Sequence, residues 1–179
     1  MKTIVLAITG SISAYKAADI TSQLVKSNFE VHVVMSEAAT HFITPLTLEV
    51  LSNHHVTIDV MTEKIPGKVN HIELAKKADL FLVAPASANT IAKLAFGFAD
   101  NSITSIALAL GGDVKKIIAP AMNTKMYENP ITQENISRLK SFGYTEIEPR
   151  TALLACGDLG KGALAEVDEI IESVKGILT

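Results

Sequence analysis

The sequence predicts a doubly wound α/β fold with a mostly parallel sheet, and three observations predict it. Short continuous apolar runs alternate with longer segments of helical periodicity, as strands and crossover helices do. Apolar residues make up 48% of the chain, which suits a sheet covered on both faces. The length of 179 residues fits a single domain spanning 1–179.

The predicted strands are apolar runs bounded by turn residues, and Leu80–Ala84 is the clearest internal one. In chain order they are Ile4–Ile8, Val31–Met35, Val56–Val60, Leu80–Ala84, Lys116–Ala119 and Thr145–Ile147. Parallel strands require crossovers, and these crossovers are right-handed.

The predicted helices fill the segments between the strands. They cover about 14–27, 46–51, 91–96 and 131–141, and a last amphipathic helix begins near Val167. Residues 102–110 are predicted to be helical or otherwise buried. Two segments are predicted to be loops: residues 62–70, which contain Pro66 and Gly67, and the glycine-containing residues 149–163.

The composition excludes several classes of function. A net charge of −3 gives no basic field for nucleic acid, and an aromatic content of 5% without Trp disfavours base stacking. No apolar stretch is long enough to cross a membrane, and the apolar start of the chain has no credible cleavage site. The single cysteine, Cys156, precludes an intrachain disulfide and favours the cytoplasm.

Histidines give no metal site by sequence spacing. The pair His54-His55 lacks a third ligand at a recognisable distance along the chain, so we interpret it as surface. His32 and His41 are interpreted in the same way, and no metal is predicted.

Four loops are predicted at the carboxyl ends of strands, where ligands bind in such sheets. They are Thr9–Ser13, Ser36–Phe42, Pro85–Thr90 and Pro120–Met126. Small hydroxyl and amide residues next to helix starts suit a phosphate. The first loop lacks the GxGxxG spacing of dinucleotide sites and alone is an ordinary turn. The third loop offers Ser87, Asn89 and Thr90, which favours a ligand over a simple N-cap.

Three further residues could carry chemistry. His71 can exchange a proton near neutral pH, although a lone histidine is usually structural. Asn123 follows a strand end, where its amide serves a substrate carboxylate or a helix N-cap. Cys156 lies among glycines in a segment that can close over a ligand, and its thiol can act as an acid.

Taken together, these motifs resemble those of the flavin-dependent cysteine decarboxylases, from about Ile4 to Ile171. The resemblance rests on Gly10-Ser11-Ile12-Ser13-Ala14-Tyr15-Lys16, Pro85–Thr90, His71 with Ile72 and Leu74, Pro120-Ala121-Met122-Asn123 with Met126, and Ala155-Cys156-Gly157. It departs at Tyr127, where many relatives carry Trp.

The resemblance implies a flavodoxin- or Rossmann-like carbon–carbon lyase of coenzyme A biosynthesis. It implies FMN bound between subunits of a homo-oligomer, commonly a trimer or a multiple of trimers, and a phosphorylated, cysteine-containing small-molecule substrate. FMN would contact Gly10, Ser11, Ser36, Ser87, Asn89, Thr90 and Met122. Many bacterial relatives continue into a ligase domain, so we expect that activity on another protein.

The resemblance also implies roles for the catalytic set. FMN would oxidise the substrate thiol to a thioaldehyde, carbon dioxide would leave, and the enethiol would be reduced. His71 would be the proton partner of the oxidation, Asn123 would bind the carboxylate, and Cys156 would protonate the ene-thiolate. Alternatives are a peptidyl-cysteine decarboxylase, a flavin prenyltransferase, which this set of residues disfavours, and a flavin-binding regulatory subunit.

Overall fold

The architecture is a parallel sheet between two layers of helices, in a computed structural model that describes residues 1–62, 69–155, 157 and 159–178. Five strands pair in the order β2-β1-β3-β4-β5, and each ladder is parallel. The strands are β1 Thr3–Ile8, β2 Glu30–Met35, β3 Leu80–Ala86, β4 Lys115–Pro120 and β5 Tyr144–Glu146. The predicted doubly wound fold is confirmed.

Helices cover both faces of this sheet. They are α1 Ala17–Lys26, α2 Pro45–Ser52, α3 Asn70–Lys77, α4 Ala88–Ala95, α5 Ser102–Ala109, α6 Thr124–Glu128, α7 Pro130–Ser141 and α8 Val167–Leu178. Buried residues of α1, α2 and α8 pack on one face, and those of α3, α4, α5 and α7 pack on the other. Every residue of β1 and β3 is buried, which explains why their sequences are apolar without alternation.

The topology fixes where a ligand can bind. The chain passes from β1 to β2 on one side and then returns to place β3 on the other side of β1. Connections from β1 and β3 therefore leave the sheet in opposite directions, which opens a crevice at their carboxyl ends. This 2-1-3-4-5 order is flavodoxin-like, as the sequence resemblance implies.

The prediction of a strand at Val56–Val60 is wrong. Only Thr57 bridges to Val34 of β2, through Thr57 N–H to Val33 and Met35 N–H to Thr57. The Asp59 carboxylate then accepts the N–H of Met61 and turns the chain away from the sheet. One bridge at the sheet edge replaces the expected strand.

The prediction of a plain loop at 149–163 is also wrong, because the segment forms an antiparallel hairpin. Its strands are β6 Arg150–Leu153 and β7 Leu159–Ala163. Glycine normally weakens a strand, but Gly160 and Gly162 let β7 pack closely on the segment that contains Met122 and Thr124. Within the predicted loop 62–70, residues 63–68 lie outside the described part of the chain, and α3 begins at Asn70.

The predicted helix over 14–27 is shorter than expected. A 3₁₀ turn at Ile12–Lys16 precedes it, so α1 itself starts at Ala17. Within the described residues, no helix is both long enough and apolar enough to span a bilayer.

We predict that Tyr144 makes the fold sensitive to alkali. Burial raises the pKa of the Tyr144 phenol to about 12, whereas a tyrosine in an unfolded chain has a pKa of about 10. The folded state therefore holds this proton more tightly. Its contribution to stability is complete below pH of about 10 and is lost as pH rises towards about 12.

The measurement is urea unfolding of the wild type and of Tyr144→Phe. Between about pH 9 and about pH 11 the wild type should lose about 1 kcal/mol more unfolding free energy than the variant. Tyr15→Phe, at an exposed tyrosine, is the control for loss of one hydroxyl group. Equal losses in the wild type and in Tyr144→Phe would contradict the prediction.

Candidate functional site

A cavity of about 980 Å³ opens at the carboxyl ends of β1, β3 and β4. Its wall brings together eight residues that the sequence singled out from four separate loops. They are Gly10, Ser11, Ser36, Ser87, Asn89, Thr90, Met122 and Asn123. The structure thus places the predicted cofactor residues and Asn123 around one space.

A buried hydroxyl joins the first and third loops. Thr9, which is fully buried, donates its Oγ1 hydrogen to the Pro85 carbonyl at 2.7 Å. The same oxygen accepts the Ser87 N–H at 2.8 Å, so it links the ends of β1 and β3. Sequence reasoning missed Thr9 as a positioning residue. The available signal was a hydroxyl at the end of an otherwise apolar strand, directly before a glycine.

Close packing at Gly10 joins the first and second loops. A Cβ atom at Gly10 would lie 2.7 Å from the Cβ of Ala38, which is too close for any side chain. In addition, Ser36 N–H donates to the Ile8 carbonyl at 3.0 Å. Glycine at position 10 is therefore required because the backbone of the first loop lies directly against the Ala38 side chain.

Serines begin the helical turns at the cavity wall. Ser11 Oγ accepts the Ser13 N–H, and Ser36 Oγ accepts the Ala39 N–H. No described residue accepts the hydroxyl hydrogen of either serine, so both can donate to a ligand.

Ser87 begins the eight-residue helix α4. Its Oγ accepts the Thr90 N–H at 3.3 Å and lies 3.2 Å from Thr90 Oγ1, to which it donates. The N-cap interpretation of this loop is therefore confirmed, while Asn89 remains exposed at the cavity. The first N–H groups of α4 provide a partial positive charge at this wall.

The opposite wall depends on the hairpin. Met122 N–H donates to the Gly162 carbonyl at 2.9 Å, and a Cβ at Gly162 would lie 2.2 Å from the Met122 oxygen. At Gly160 a Cβ would meet the Thr124 side chain. The glycines thus let β7 lie directly on the Asn123 segment, and for this reason the strand is rich in glycine.

Asn123 is both an N-cap and a cavity residue. Its Oδ1 accepts the Lys125 N–H at 2.9 Å, which orients the side chain at the start of α6. Tyr127, one turn later, donates its hydroxyl to Glu146 of β5 at 2.9 Å, and Lys140 pairs with the same carboxylate at 2.6 Å. Burial and the neighbouring Glu146 raise the pKa of the Tyr127 phenol, which keeps it a donor.

Three cations line the cavity, and sequence reasoning assigned a role to none of them. Lys16 lies 3.8 Å from Glu166, Arg150 lies 2.9 Å from the same carboxylate, and Lys93 pairs with Asp100. Arg150 also donates to the Leu164 carbonyl. Their signal in the sequence is weak, because isolated basic residues are common on surfaces. Their arrangement suits an anionic ligand.

Of the other two predicted catalytic residues, one lies away from this wall and one lies outside the described part of the chain. Among the described residues that line the cavity, His71 is absent. It belongs to the first turn of α3, and its neighbour Asn70 donates to Thr57 beside β2. Cys156 lies outside the described residues, but its neighbours Leu154 and Ala155 line the cavity.

The residues present fit the predicted FMN. The small side chains of Gly10, Ser11, Ser87 and Ala88 let a planar ring approach the backbone closely. The hydroxyl donors of Ser11 and Ser36 and the start of α4 suit a phosphate. The lining is mixed in polarity and the volume falls in the range of cofactor clefts.

The sheet order and this cavity define a mononucleotide-binding protein of flavodoxin-like fold. The chain belongs to the family described as Flavoprotein, which matches residues 1–179. This agrees with the resemblance inferred from the sequence motifs.

Two curated relatives show the similarity. The chain is 62% identical, over 97% of both chains, to the probable phosphopantothenoylcysteine decarboxylase of Streptococcus mutans serotype c. It is 45% identical, over 96% of its length, to the coenzyme A biosynthesis bifunctional protein CoaBC of Bacillus subtilis. It spans only 42% of that bifunctional relative.

Two solved structures share the fold. The first is a cysteine-to-serine mutant of PPC decarboxylase complexed with pantothenoylaminoethenethiol. Its TM-score is 0.88 at 35% identity, over 99% of this chain and 98% of that one. The second is the FMN binding protein AtHal3, with a TM-score of 0.84 at 36% identity, over 98% and 96%.

We predict that Thr9→Val will loosen the junction between the first and third loops. Valine keeps the shape but leaves the Ser87 N–H and one lone pair of the Pro85 carbonyl unsatisfied in a buried position. The unfolding free energy in urea should fall by about 1–3 kcal/mol, and FMN should bind more weakly. Thr9→Ser retains the hydroxyl and is the matched control. A Thr9→Val protein as stable as Thr9→Ser would contradict this role.

Proposed function

We propose that this chain decarboxylates phosphopantothenoylcysteine to 4'-phosphopantetheine with bound FMN, as a carbon–carbon lyase of coenzyme A biosynthesis. One observation carries the proposal: Asn123 and the three loops expected to contact FMN, Thr9–Ser13, Ser36–Phe42 and Pro85–Thr90, line the same cavity at the carboxyl ends of β1 and β3. The relatives named as decarboxylases and the FMN binding protein of the same fold support it.

The reaction needs an electron sink next to the substrate carboxylate. A simple cysteinyl carboxylate cannot easily lose carbon dioxide, because nothing stabilises the carbanion that remains. When bound, FMN supplies the two-electron oxidation of the CH2–SH group to a thioaldehyde and the later reduction of the enethiol. The two electrons are returned at the end, so no external oxidant or reductant is consumed.

Asn123 is proposed to bind the substrate carboxylate. The bond from Lys125 N–H to its Oδ1 holds the amide in one orientation at the cavity wall. An amide can donate to a carboxylate and accept from a substrate N–H, so it can fix the scissile C–C bond relative to the sink. Met122, held by Gly162, would lie against the flavin.

Cys156 is proposed to complete the reaction. Loss of carbon dioxide leaves an ene-thiolate, which needs a proton on carbon before the electrons return as hydride. The thiol of Cys156 can donate that proton. Its neighbour Ala155 lines the cavity, and Gly157 has φ of +87°, a conformation that favours glycine. The free thiol is preserved in the reducing cytoplasm, where we place the reaction.

Lys16, Lys93 and Arg150 are proposed to favour a phosphorylated substrate. All three line the cavity, and their carboxylate partners leave them partly exposed there. A peptide with a C-terminal cysteine would present no phosphate to them. The phosphorylated small molecule is therefore the better match to this wall.

We predict that the purified chain, loaded with FMN, converts phosphopantothenoylcysteine without a partner protein. Mass spectrometry after anaerobic incubation should show 4'-phosphopantetheine from the wild type. Cys156→Ser should bind FMN as tightly as the wild type does. It should form product at least about 100-fold more slowly and accumulate the oxidised enethiol.

Each failure has its own meaning. Conversion of a cysteine-terminated peptide instead would reassign the substrate, and an FMN-loaded chain that converts neither would favour a regulatory subunit. Normal product formation by Cys156→Ser would remove Cys156 from the mechanism while leaving the decarboxylase intact.

We further propose that a second copy of the chain supplies His71. His71 lies outside the cavity lining of its own chain, and its buried Nδ1 has no hydrogen-bond partner among the described residues. Large apolar side chains are exposed in the same chain, including Leu108, Leu153 and Leu159. A homo-oligomer, with a trimer as the expected unit, would cover such residues and bring His71 to a neighbouring cavity.

We predict that two inactive variants restore activity in a mixed oligomer. His71→Asn and Asn123→Ala should each be inactive as homo-oligomers. Co-expressed in equal amounts, they should recover about a quarter of wild-type turnover, since one cavity in four then combines both intact residues from two chains. Mixing after purification, without subunit exchange, is the control. Absence of recovery on co-expression would place both residues in the same chain's site.

A further inference from the structure

Glu30, His32 and His54 converge near the amino end of the edge strand β2, whereas the cavity lies at the carboxyl ends of the strands. Glu30 and His32 are two residues apart on β2, so their side chains lie on the same face of the strand. His54 follows the end of α2, where Asn53 has φ of +61°. Their ligand atoms, one from each side chain, all lie within 4.8 Å of one another.

The distances are close to those of a metal centre. Glu30 Oε1 lies 2.9 Å from His32 Nε2 and 3.8 Å from His54 Nε2. Ligand atoms around a tetrahedral ion, each about 2.0–2.1 Å from it, lie about 3.3 Å apart. The two measured distances fall on either side of that value. Small rotations of the side chains would therefore bring the three atoms to bonding distance.

Neighbouring groups hold the three ligands in place. Thr3 donates its hydroxyl to Glu30 Oε2, which leaves the other carboxylate oxygen facing the imidazoles. Ser52 Oγ accepts the His54 N–H and donates to the His54 carbonyl, both at 3.2 Å, so the backbone of His54 is fixed. Such outer hydrogen bonds are the usual support of metal ligands.

Charge pairing alone explains this cluster poorly. One carboxylate faces two imidazole rings, which stack with centroids 4.2 Å apart. A neutral imidazole is the form that binds metals. One carboxylate cannot form a full ion pair with both imidazoles, whereas a cation can be bound by all three groups at once.

We propose that Glu30, His32 and His54 bind one divalent first-row transition-metal ion, of which zinc is the representative. Two imidazoles and one carboxylate are a ligand set that suits zinc and leaves a fourth position for water. The ion ties the end of α2 to the edge strand β2. The ion has no part in decarboxylation, because within the described chain none of its three ligands lines the cavity. Glu30 lies at the amino end of β2, whereas Ser36 of the cavity wall follows the carboxyl end of that strand.

The sequence prediction of no metal considered only spacing along the chain. Two adjacent histidines such as His54-His55 are common by chance. The residues that join His54 come instead from β2, more than twenty positions earlier in the chain. The two histidines also diverge in the structure, since His55 pairs with Glu49 instead of joining the cluster. His55 therefore provides a matched control within the same turn.

Zinc titration of the FMN-loaded full chain, after removal of bound metal with a chelator, tests the proposal. Calorimetry should show one zinc per chain, and Tm should rise by about 5–10 °C at free zinc about 100-fold above Kd. His32→Ala and His54→Ala should each weaken zinc binding by about 100-fold or more, as should Glu30→Gln, which keeps the acceptor for Thr3. His55→Ala should bind as the wild type does.

Three outcomes would overturn the site: no saturable zinc binding, equal affinity in all variants, or loss of binding in Cys156→Ser, which would assign the zinc to the thiol. Far-UV circular dichroism of each variant before titration separates a lost ligand from a lost fold. His54 is the decisive position, because it lies partly exposed in a turn, where replacement by alanine leaves the core intact.

Discussion

The geometry of the cavity depends on a single buried oxygen, the Thr9 hydroxyl. The ends of β1 and β3 lie side by side, but the backbone bond that joins them there, from the Thr9 N–H to the Pro85 carbonyl, is long at 3.3 Å. Thr9 Oγ1 adds a second link by donating to the Pro85 carbonyl and accepting the Ser87 N–H. A hydroxyl that makes both bonds in a buried site is strongly stabilising, since without it the Ser87 N–H is left unpaired, which is unfavourable by about 1–3 kcal/mol. The start of α4 is thereby fixed relative to Gly10.

The second constraint is close packing that only glycine permits. At Gly10 the first loop touches Ala38, and at Gly162 the hairpin lies on the Met122 carbonyl. These contacts set the two walls of the cavity from opposite sides, one from the sheet and one from β7. Glycine appears at both positions because a neighbouring segment lies too close for a Cβ atom, and not because the chain bends there. Neither glycine has a positive φ, unlike Gly157 in the segment that carries Cys156.

Much of the fold could be predicted from sequence because its strands are buried on both faces. Ile4–Ile8 and Leu80–Ala84 are continuous apolar runs, and both are strands in the structure. Val56–Val60 is rich in β-branched residues but is interrupted by Thr57 and Asp59, and it forms only a single bridge to β2. The hairpin at 150–163 was hidden, because its glycines indicate a loop until their close neighbours are known. Likewise, no periodicity could show that Glu30 and His54 meet.

The two edges of the sheet differ in how completely one chain satisfies its polar groups. At the carboxyl edge, the hydroxyl hydrogens of Ser11 and Ser36 and the Nδ1 of His71 have no partner among the described residues. At the amino edge, Glu30 is bonded through both carboxylate oxygens, and Asp79 binds Lys2 and the Thr3 N–H. Buried polar groups are seldom left unpaired in a finished structure. The carboxyl edge is therefore where the cofactor binds and where we propose that a second chain contributes, whereas the polar groups of the amino edge are already paired within one chain and the proposed cation would join them.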